Sequence, residues 1–323
     1  MKHSVGWASL LALVSVVLSA CSTGKPSEAR RPVTFALIGD VPYSDHDAAV
    51  SFPNMIDEIN RAHVAFTVHD GDIKSGSEPC SEEVLQAMYR RFQTFESPFI
   101  YLFGDNEWTD CGRYPPDTVS PERWLERLRE VFTKGDQSLG RHTLTLKRQS
   151  DEKQLSKFRE NVRWSLGQVL FVGLNVPGNS NNYGQPEFAE RNRANLAWTR
   201  EAFALARTNQ MRAVMLILQA DPHFELAATN RLRLGFNEFL SVVENETIAF
   251  KKPVVFVHGD SHYFRIDKPL IGSKSKRRIE NFTRVETFGY PDVHWLEATI
   301  DEKDPNVFLF KPRIVKKNLV KQE

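Results

Sequence analysis

The sequence predicts an α/β fold whose sheets are covered by helices on both faces. Short runs of apolar, β-branched and aromatic residues alternate with longer segments whose apolar residues recur at helical spacing. The runs are almost continuously apolar, as expected of strands buried on both faces rather than one. Four of them end in Gly-Asp, at positions 39–40, 71–72, 104–105 and 259–260. In open α/β sheets the carboxyl ends of the strands are where ligands bind.

The chain opens with Lys2 and His3, and an apolar stretch over 5–18 closes on Leu18-Ser19-Ala20-Cys21. That stretch is too short to span a bilayer and has the small-residue exit of a secretory leader, so residues 1–20 read as a signal peptide. The tetrapeptide resembles a bacterial lipoprotein box, in which Cys21 becomes the lipidated first residue and the link to a membrane. A cleaved leader with a chance cysteine is the plainer alternative. Residues 21–32 are mostly polar and carry two prolines, as a tether would. Ser22 after the cysteine points to the outer membrane, facing the periplasm, within the cell envelope.

A folded domain is expected over 33–323. Strands are predicted at 33–39, 65–69, 99–103, 169–176, 213–218 and 254–258, with helices at 52–62, 82–95, 121–132, 187–208 and 232–246. Beyond 262 the helical pattern stops. Runs at 264–270, 282–288, 294–300 and 307–315 read as strands that would complete a second sheet. The stretch 109–165 shows no clear strand and reads as an insertion over the site.

Composition narrows the function. The 323 residues are 41% hydrophobic and 26% charged, values of a globular protein. A net charge of +1 gives no electrostatic case for nucleic acid. The basic clusters at 274–278 and 311–321 lack interleaved aromatics and read as hairpin and tail surface. Cys80 and Cys111 are the cysteines beyond Cys21, both just after expected strand ends. Export to an oxidising compartment favours a disulfide bracing two loops, with two free buried thiols as the alternative.

Gly-Asp occurs five times, where 17 glycines and 17 aspartates in 323 residues would give about one by chance. The fifth pair, Gly135-Asp136, follows a helical pattern and reads as a helix C-terminal turn. Glycine at a strand end lets the backbone turn sharply and brings the next side chain over the sheet edge. Four carboxylates aimed at one edge repel one another, and their pKa values rise unless a cation sits among them. Divalent ions are the usual solution, and a pair of them is a common device for phosphoester cleavage. Capping of the following helix or turn by each aspartate is the bland alternative. Nearby residues enrich the pattern: His262 lies two beyond Asp260, Asn106 and Glu107 follow Asp105, and Asp221 and His223 follow a further strand.

In order and spacing these blocks resemble the calcineurin-like metallophosphoesterase superfamily, over about residues 33–264. Its strand-end blocks read Asp-x-His, Gly-Asp, Gly-Asn-His-Asp/Glu, a lone His, and Gly-His-x-His. The resemblance implies a two-sheet αββα sandwich, with Asp40, Asp72, Asp105, Asp221, Asp260 and His262 holding one or two divalent ions. The departures share a direction. Pro42 stands where the first block has histidine, Asp105 replaces asparagine, Asn106 replaces the histidine that assists the leaving group, and Asp260 replaces a histidine of the last block. Gln219 or Ala220 competes with Asp221 for the place of the lone histidine. More oxygen and charge favour Mn²⁺, Mg²⁺ or Ca²⁺ over Zn²⁺.

The function implied is hydrolysis of a phosphomonoester or phosphodiester by a metal-bound hydroxide. Asn106 is the catalytic candidate; it can hydrogen-bond a phosphate oxygen but cannot act as an acid, a role left to His69, His223 or His258. Tyr43, Lys74, Asn175 and the loop 179–183 are candidate substrate contacts. The alternative is a degenerate envelope lipoprotein on the same fold that binds a metal or ligand without turnover. A serine hydrolase is poorly supported, since Ser261 lies in Gly-Asp-Ser-His and not in a Gly-x-Ser-x-Gly elbow.

Overall fold

The computed structural model describes residues 1–3, 32–113 and 119–319. Cys21 and nearly all of the expected leader and tether lie outside the described residues. From Pro32 onward the chain forms one unit.

The first strand, β1 (Val33–Ile38), shows how the layers arise. Its side chains alternate: Phe35 and Leu37 enter the core between the two sheets, while Ala36 and Ile38 face covering helices. β1 pairs in parallel with β2 (Thr67–His69), and β2 with β3 (Phe99–Tyr101). On its other side it pairs antiparallel with β11 (Trp295–Ile300), which pairs with β12 (Phe308–Arg313). The second sheet runs β4 (Lys147–Arg148), β5 (Val162–Leu166), β6 (Val169–Gly173), β7 (Ala213–Ile217), β8 (Val254–His258), β10 (Phe282–Glu286), β9 (Arg265–Asp267). Within it β6, β7, β8 and β10 are parallel.

Helices close both outer faces. Phe52–Ala62, Glu82–Phe92 and Pro121–Phe132 pack on the first sheet through residues such as Phe52, Met88 and Leu128. Phe188–Thr208 and Asn237–Phe250 pack on the second through Trp198, Phe203 and Phe239. The result is the expected αββα sandwich. Two helix starts are written locally: Ser81 Oγ accepts from Val84 N, and Ser120 Oγ accepts from Arg123 N with Pro121 following.

Two expectations change. The strand-rich end does not complete one sheet: β9 and β10 extend the second, while β11 and β12 cross back to the first. Within 109–165, helix Pro121–Phe132, β4 and β5 build both layers rather than only lying over the site. Leu125, Leu128 and Phe132 belong to the first sheet's outer core, and β4 and β5 extend the second sheet.

Register sets the site. Ile38 pairs with His69 and His69 with Tyr101, so β1, β2 and β3 finish side by side. Ile217 pairs with Val257 in the other sheet, aligning the ends of β7 and β8.

Candidate functional site

Beyond those aligned ends, Asp40, Asp72, Asp105 and Asp260 converge. Asp40, Asp72 and Asp260 hold left-handed backbone, with φ of 51°, 62° and 75°. Such a conformation costs a residue other than glycine roughly 1–3 kcal/mol and persists where surrounding structure enforces it. The expected division of labour is therefore reversed at two of the four pairs, 39–40 and 259–260, while at 71–72 glycine and aspartate both have positive φ, Gly71 at 133°. Gly39, Gly104 and Gly259 supply room. A Cβ on Gly104 would lie 2.0 Å from Asp72 Oδ1, on Gly259 2.2 Å from Asp40 Oδ2, and on Gly39 1.6 Å from Asp70 Oδ1. Gly39 and Gly104 admit a carboxylate that follows the neighbouring strand, and Gly259 admits Asp40 from the other sheet.

Backbone donors fix these carboxylates. Asp260 N donates to both oxygens of Asp40 at 3.1 Å, Asp221 N to Asp260 Oδ2 at 2.9 Å, and Asn106 N to Asp72 Oδ1 at 3.1 Å. The other oxygen of Asp72 accepts from Tyr43 Oη at 2.9 Å and from Gln219 Nε2 at 3.2 Å. Asn179 Nδ2 reaches Asp105 Oδ2 at 2.7 Å and Asp110 Oδ1 at 2.6 Å. A Cβ on Gly178 would lie 2.8 Å from both Asp105 Oδ2 and Asp260 Oδ1, so both carboxylates face that glycine.

Charge is concentrated here. Burial first, then the neighbouring carboxylates, pushes Asp40, Asp72 and Asp105 well above the usual carboxylate range. Asp260 is pushed up to about 6, chiefly by burial. Asp105 Oδ1 is buried without a hydrogen-bond partner, as are Asp70 Oδ1 and Glu107 Oε2. Among the described residues, no three His, Cys, Asp or Glu side chains stand in a ready metal-holding arrangement. The fit to a cation therefore rests on donor chemistry and charge. Asp72, Asp105 and Asp260 present carboxylate oxygens, the donor type of a hard divalent ion, while Gln219 turns its amide nitrogen to Asp72 and its oxygen accepts from Gly178 N at 2.6 Å. Asp40 lies beside it, with His262 Nε2 3.7 Å from its Oδ1.

Other expected residues fall differently. Asp221 does not join the group. Burial would raise its pKa, but its neighbours His258, His223 and Arg265 hold it below the usual range, and Arg265 engages its carboxylate at 3.0 Å. Gln219, two residues earlier on the same strand exit, takes the inward place. Asn106 Nδ2 is committed to Tyr43 Oη at 2.7 Å and Lys74 O at 3.1 Å, so Asn106 positions Tyr43 and Asp72. Lys74 Nζ turns to Ser75 O and Glu78 O. Asn175 is buried against Glu160. His69 and His258 are buried and held near a pKa of about 4 by desolvation, which leaves them neutral and inaccessible. His223 is only partly buried.

Glu107 carries more than its sequence context suggested. Its Oε1 accepts from Asp72 N, Gly104 N and Tyr101 Oη at 3.2, 2.6 and 2.6 Å, tying two of the Gly-Asp turns together. The disulfide forms as expected: Cys80 and Cys111, 5.6 Å apart at Cα, brace the loop after Asp72 against the loop after Asp105.

No family model and no curated protein matches this sequence. Solved structures do. The chain is similar to one described as GAP50, the anchor in the inner membrane complex of Plasmodium, at a TM-score of 0.56 and 10% identity, over 91% of this chain and 88% of that one. It is similar to PhoD at 0.53 and 12%, over 85% of this chain and 65% of that one. It is also similar to the purple acid phosphatase PPD1 from yellow lupin seeds at 0.52 and 10%, over 90% of this chain but 52% of the phosphatase. At these identities the likeness is one of fold: the chain shares a two-sheet α/β fold with these structures.

Proposed function

We propose that this chain is a divalent-cation-dependent phosphoesterase of the bacterial cell envelope, hydrolysing a phosphomonoester or phosphodiester. What supports this most is the convergence of Asp40, Asp72, Asp105 and Asp260 beyond the strand ends of a phosphoesterase-type fold. Asp72, Asp105 and Asp260 would hold one ion, Mg²⁺, Mn²⁺ or Ca²⁺ by donor type, with Asp40 and His262 beside it for a second, and Gln219 would orient Asp72. When bound, a divalent ion neutralises phosphate charge and acidifies water. In the net reaction the oxygen of water bonds to phosphorus, the P–O ester bond breaks, and the alcohol leaves with a proton.

The chain's residues hold that chemistry in place. Asn106 and Glu107 fix Asp72 and the Gly104 turn through the bonds described above. The phenol of Tyr43, whose pKa is raised by burial and then by Asp72 and Asp40, stays protonated and donates to Asp72. Anchoring through a lipid on Cys21 would place this site at the periplasmic face of the outer membrane, and the Cys80–Cys111 disulfide suits that oxidising space.

The deciding experiment combines metal analysis with assays on 4-nitrophenyl phosphate and bis(4-nitrophenyl) phosphate. Turnover that needs added cation and falls by about 100-fold or more in Asp72→Asn is expected. Absence of turnover of both esters with Mn²⁺, Mg²⁺, Ca²⁺ and Zn²⁺ would end this reading. Cys21→Ser should release the chain from the membrane fraction, and retention there would contradict the anchor.

A non-catalytic reading has two observations in its favour. Gln219 and Asn179 already donate amide hydrogens to these carboxylates, and one similar structure is described as an anchor. That reading expects cation or ligand binding without turnover in the same assays.

A further inference from the structure

A cavity of about 580 Å³ opens beside the carboxylates, within the range of small-ligand sites. Tyr43 belongs to both places: its hydroxyl bonds Asp72 and Asn106, and the residue lines the cavity. Pro42 and Ile73, each next to a site residue in sequence, give it an apolar floor. One wall is a single face of helix Glu82–Phe92, where Val84, Ala87, Met88 and Arg91 recur at helical spacing. Asp45, Glu78 and Glu83 line it as well, three carboxylates against the guanidinium of Arg91 and the Lys74 ammonium that bonds Glu78 O at 2.6 Å, a balance still negative. Tyr290 stacks on Tyr43 with ring centroids 5.8 Å apart, and His262 meets it edge-on at 5.1 Å, so Tyr43 is held within an aromatic cluster.

We propose that this cavity receives the alcohol part of the phosphate ester, and that this part is cationic: the substrate class is an amino-alcohol phosphate bearing an alkylammonium group. The inference rests on the phosphoesterase reading. With phosphate at the carboxylate centre, a leaving alcohol passing Tyr43 enters a space whose wall and floor suit N-alkyl groups. An ammonium there meets an aromatic ring and a net negative lining, each of which attracts it. A polyanionic leaving group would meet three carboxylates against Arg91 and Lys74.

Charge can be tested apart from shape with choline and its neutral isostere 3,3-dimethyl-1-butanol, titrated calorimetrically into the full chain. Choline should bind about tenfold or more tightly than the neutral alcohol. In the double variant Asp45→Asn/Glu83→Gln, both exposed positions, that preference should shrink to about threefold or less at an unchanged melting temperature. Failure of choline to bind, equal binding of the two, or a preference that survives in the variant overturns the proposal. Hydrolysis of choline phosphate and of 3,3-dimethylbutyl phosphate separates it from the reading beneath it. Charge-dependent binding with neither ester hydrolysed supports the cavity assignment and counts against the phosphoesterase; hydrolysis of both at equal kcat/KM does the reverse.

Discussion

A methyl group at Gly104 would stand 2.0 Å from Asp72 Oδ1 and 2.5 Å from Asp72 N. Backbone as well as side chain must move, so Gly104→Ala should destabilise the fold by about 1–3 kcal/mol as well as displacing Asp72. Gly135 is the control. It has φ of +65° but nothing within 4 Å of a Cβ, so Gly135→Ala should cost roughly 1 kcal/mol, from the backbone alone. Urea midpoints of the two variants make the comparison, and equal losses would contradict the account of Gly104. The enrichment of Gly-Asp was legible because selection for close strand-end packing leaves a dipeptide signature. The left-handed aspartates were not, because glycine and aspartate both tolerate sharp turns and only the packed neighbour shows which one turns.

Among elements, the loops after Asp72 and Asp105 are joined by Cys80–Cys111 across 31 residues of sequence. Closing a loop of that length stabilises by about 3–4 kcal/mol in the chain-entropy account. Cys80→Ser/Cys111→Ser should therefore lower the melting temperature clearly, and reduction of the wild type should reproduce the loss; a melting temperature indifferent to both would show the bridge to be unimportant. The elements also explain the exchange of Asp221 for Gln219. Both follow β7, but Arg265 from the start of β9 captures Asp221. That arginine is 44 residues away in sequence, so no local pattern announces it.

Across the whole molecule, one buried ion pair ties the two halves of the sandwich. Arg129, on helix Pro121–Phe132 over the first sheet, donates to Glu160, just before β5 of the second, at 2.8 and 2.6 Å. Burial would raise the pKa of Glu160, but Arg129 and Asn175 outweigh it and hold the carboxyl below its usual range. A depressed carboxyl adds stability that is present above the unfolded-state pKa and lost as pH falls through the folded-state value. Glu160→Gln should cost about 1.5–3 kcal/mol at pH 7, because it removes the charge behind two buried hydrogen bonds while the guanidinium keeps Glu126. The gap from wild type should narrow as pH drops from about 5. Denaturation midpoints across that range provide the check, and a gap constant with pH would refute the assignment.

The sequence by itself determined the layered α/β class and the placing of four aspartates where strands end. Those features are written in local periodicity and in a dipeptide repeated where strands stop. It also placed the cysteines on adjacent loops, since both follow strand ends of a parallel sheet. Only the tertiary structure decided that β11 and β12 return to the first sheet, that Gln219 faces inward while Asp221 pairs with Arg265, and that Asn106 is spent on Tyr43 and Asp72. Each of those outcomes depends on partners distant in sequence, and hydrogen-bond and charge competition among such partners leaves no trace in local spacing.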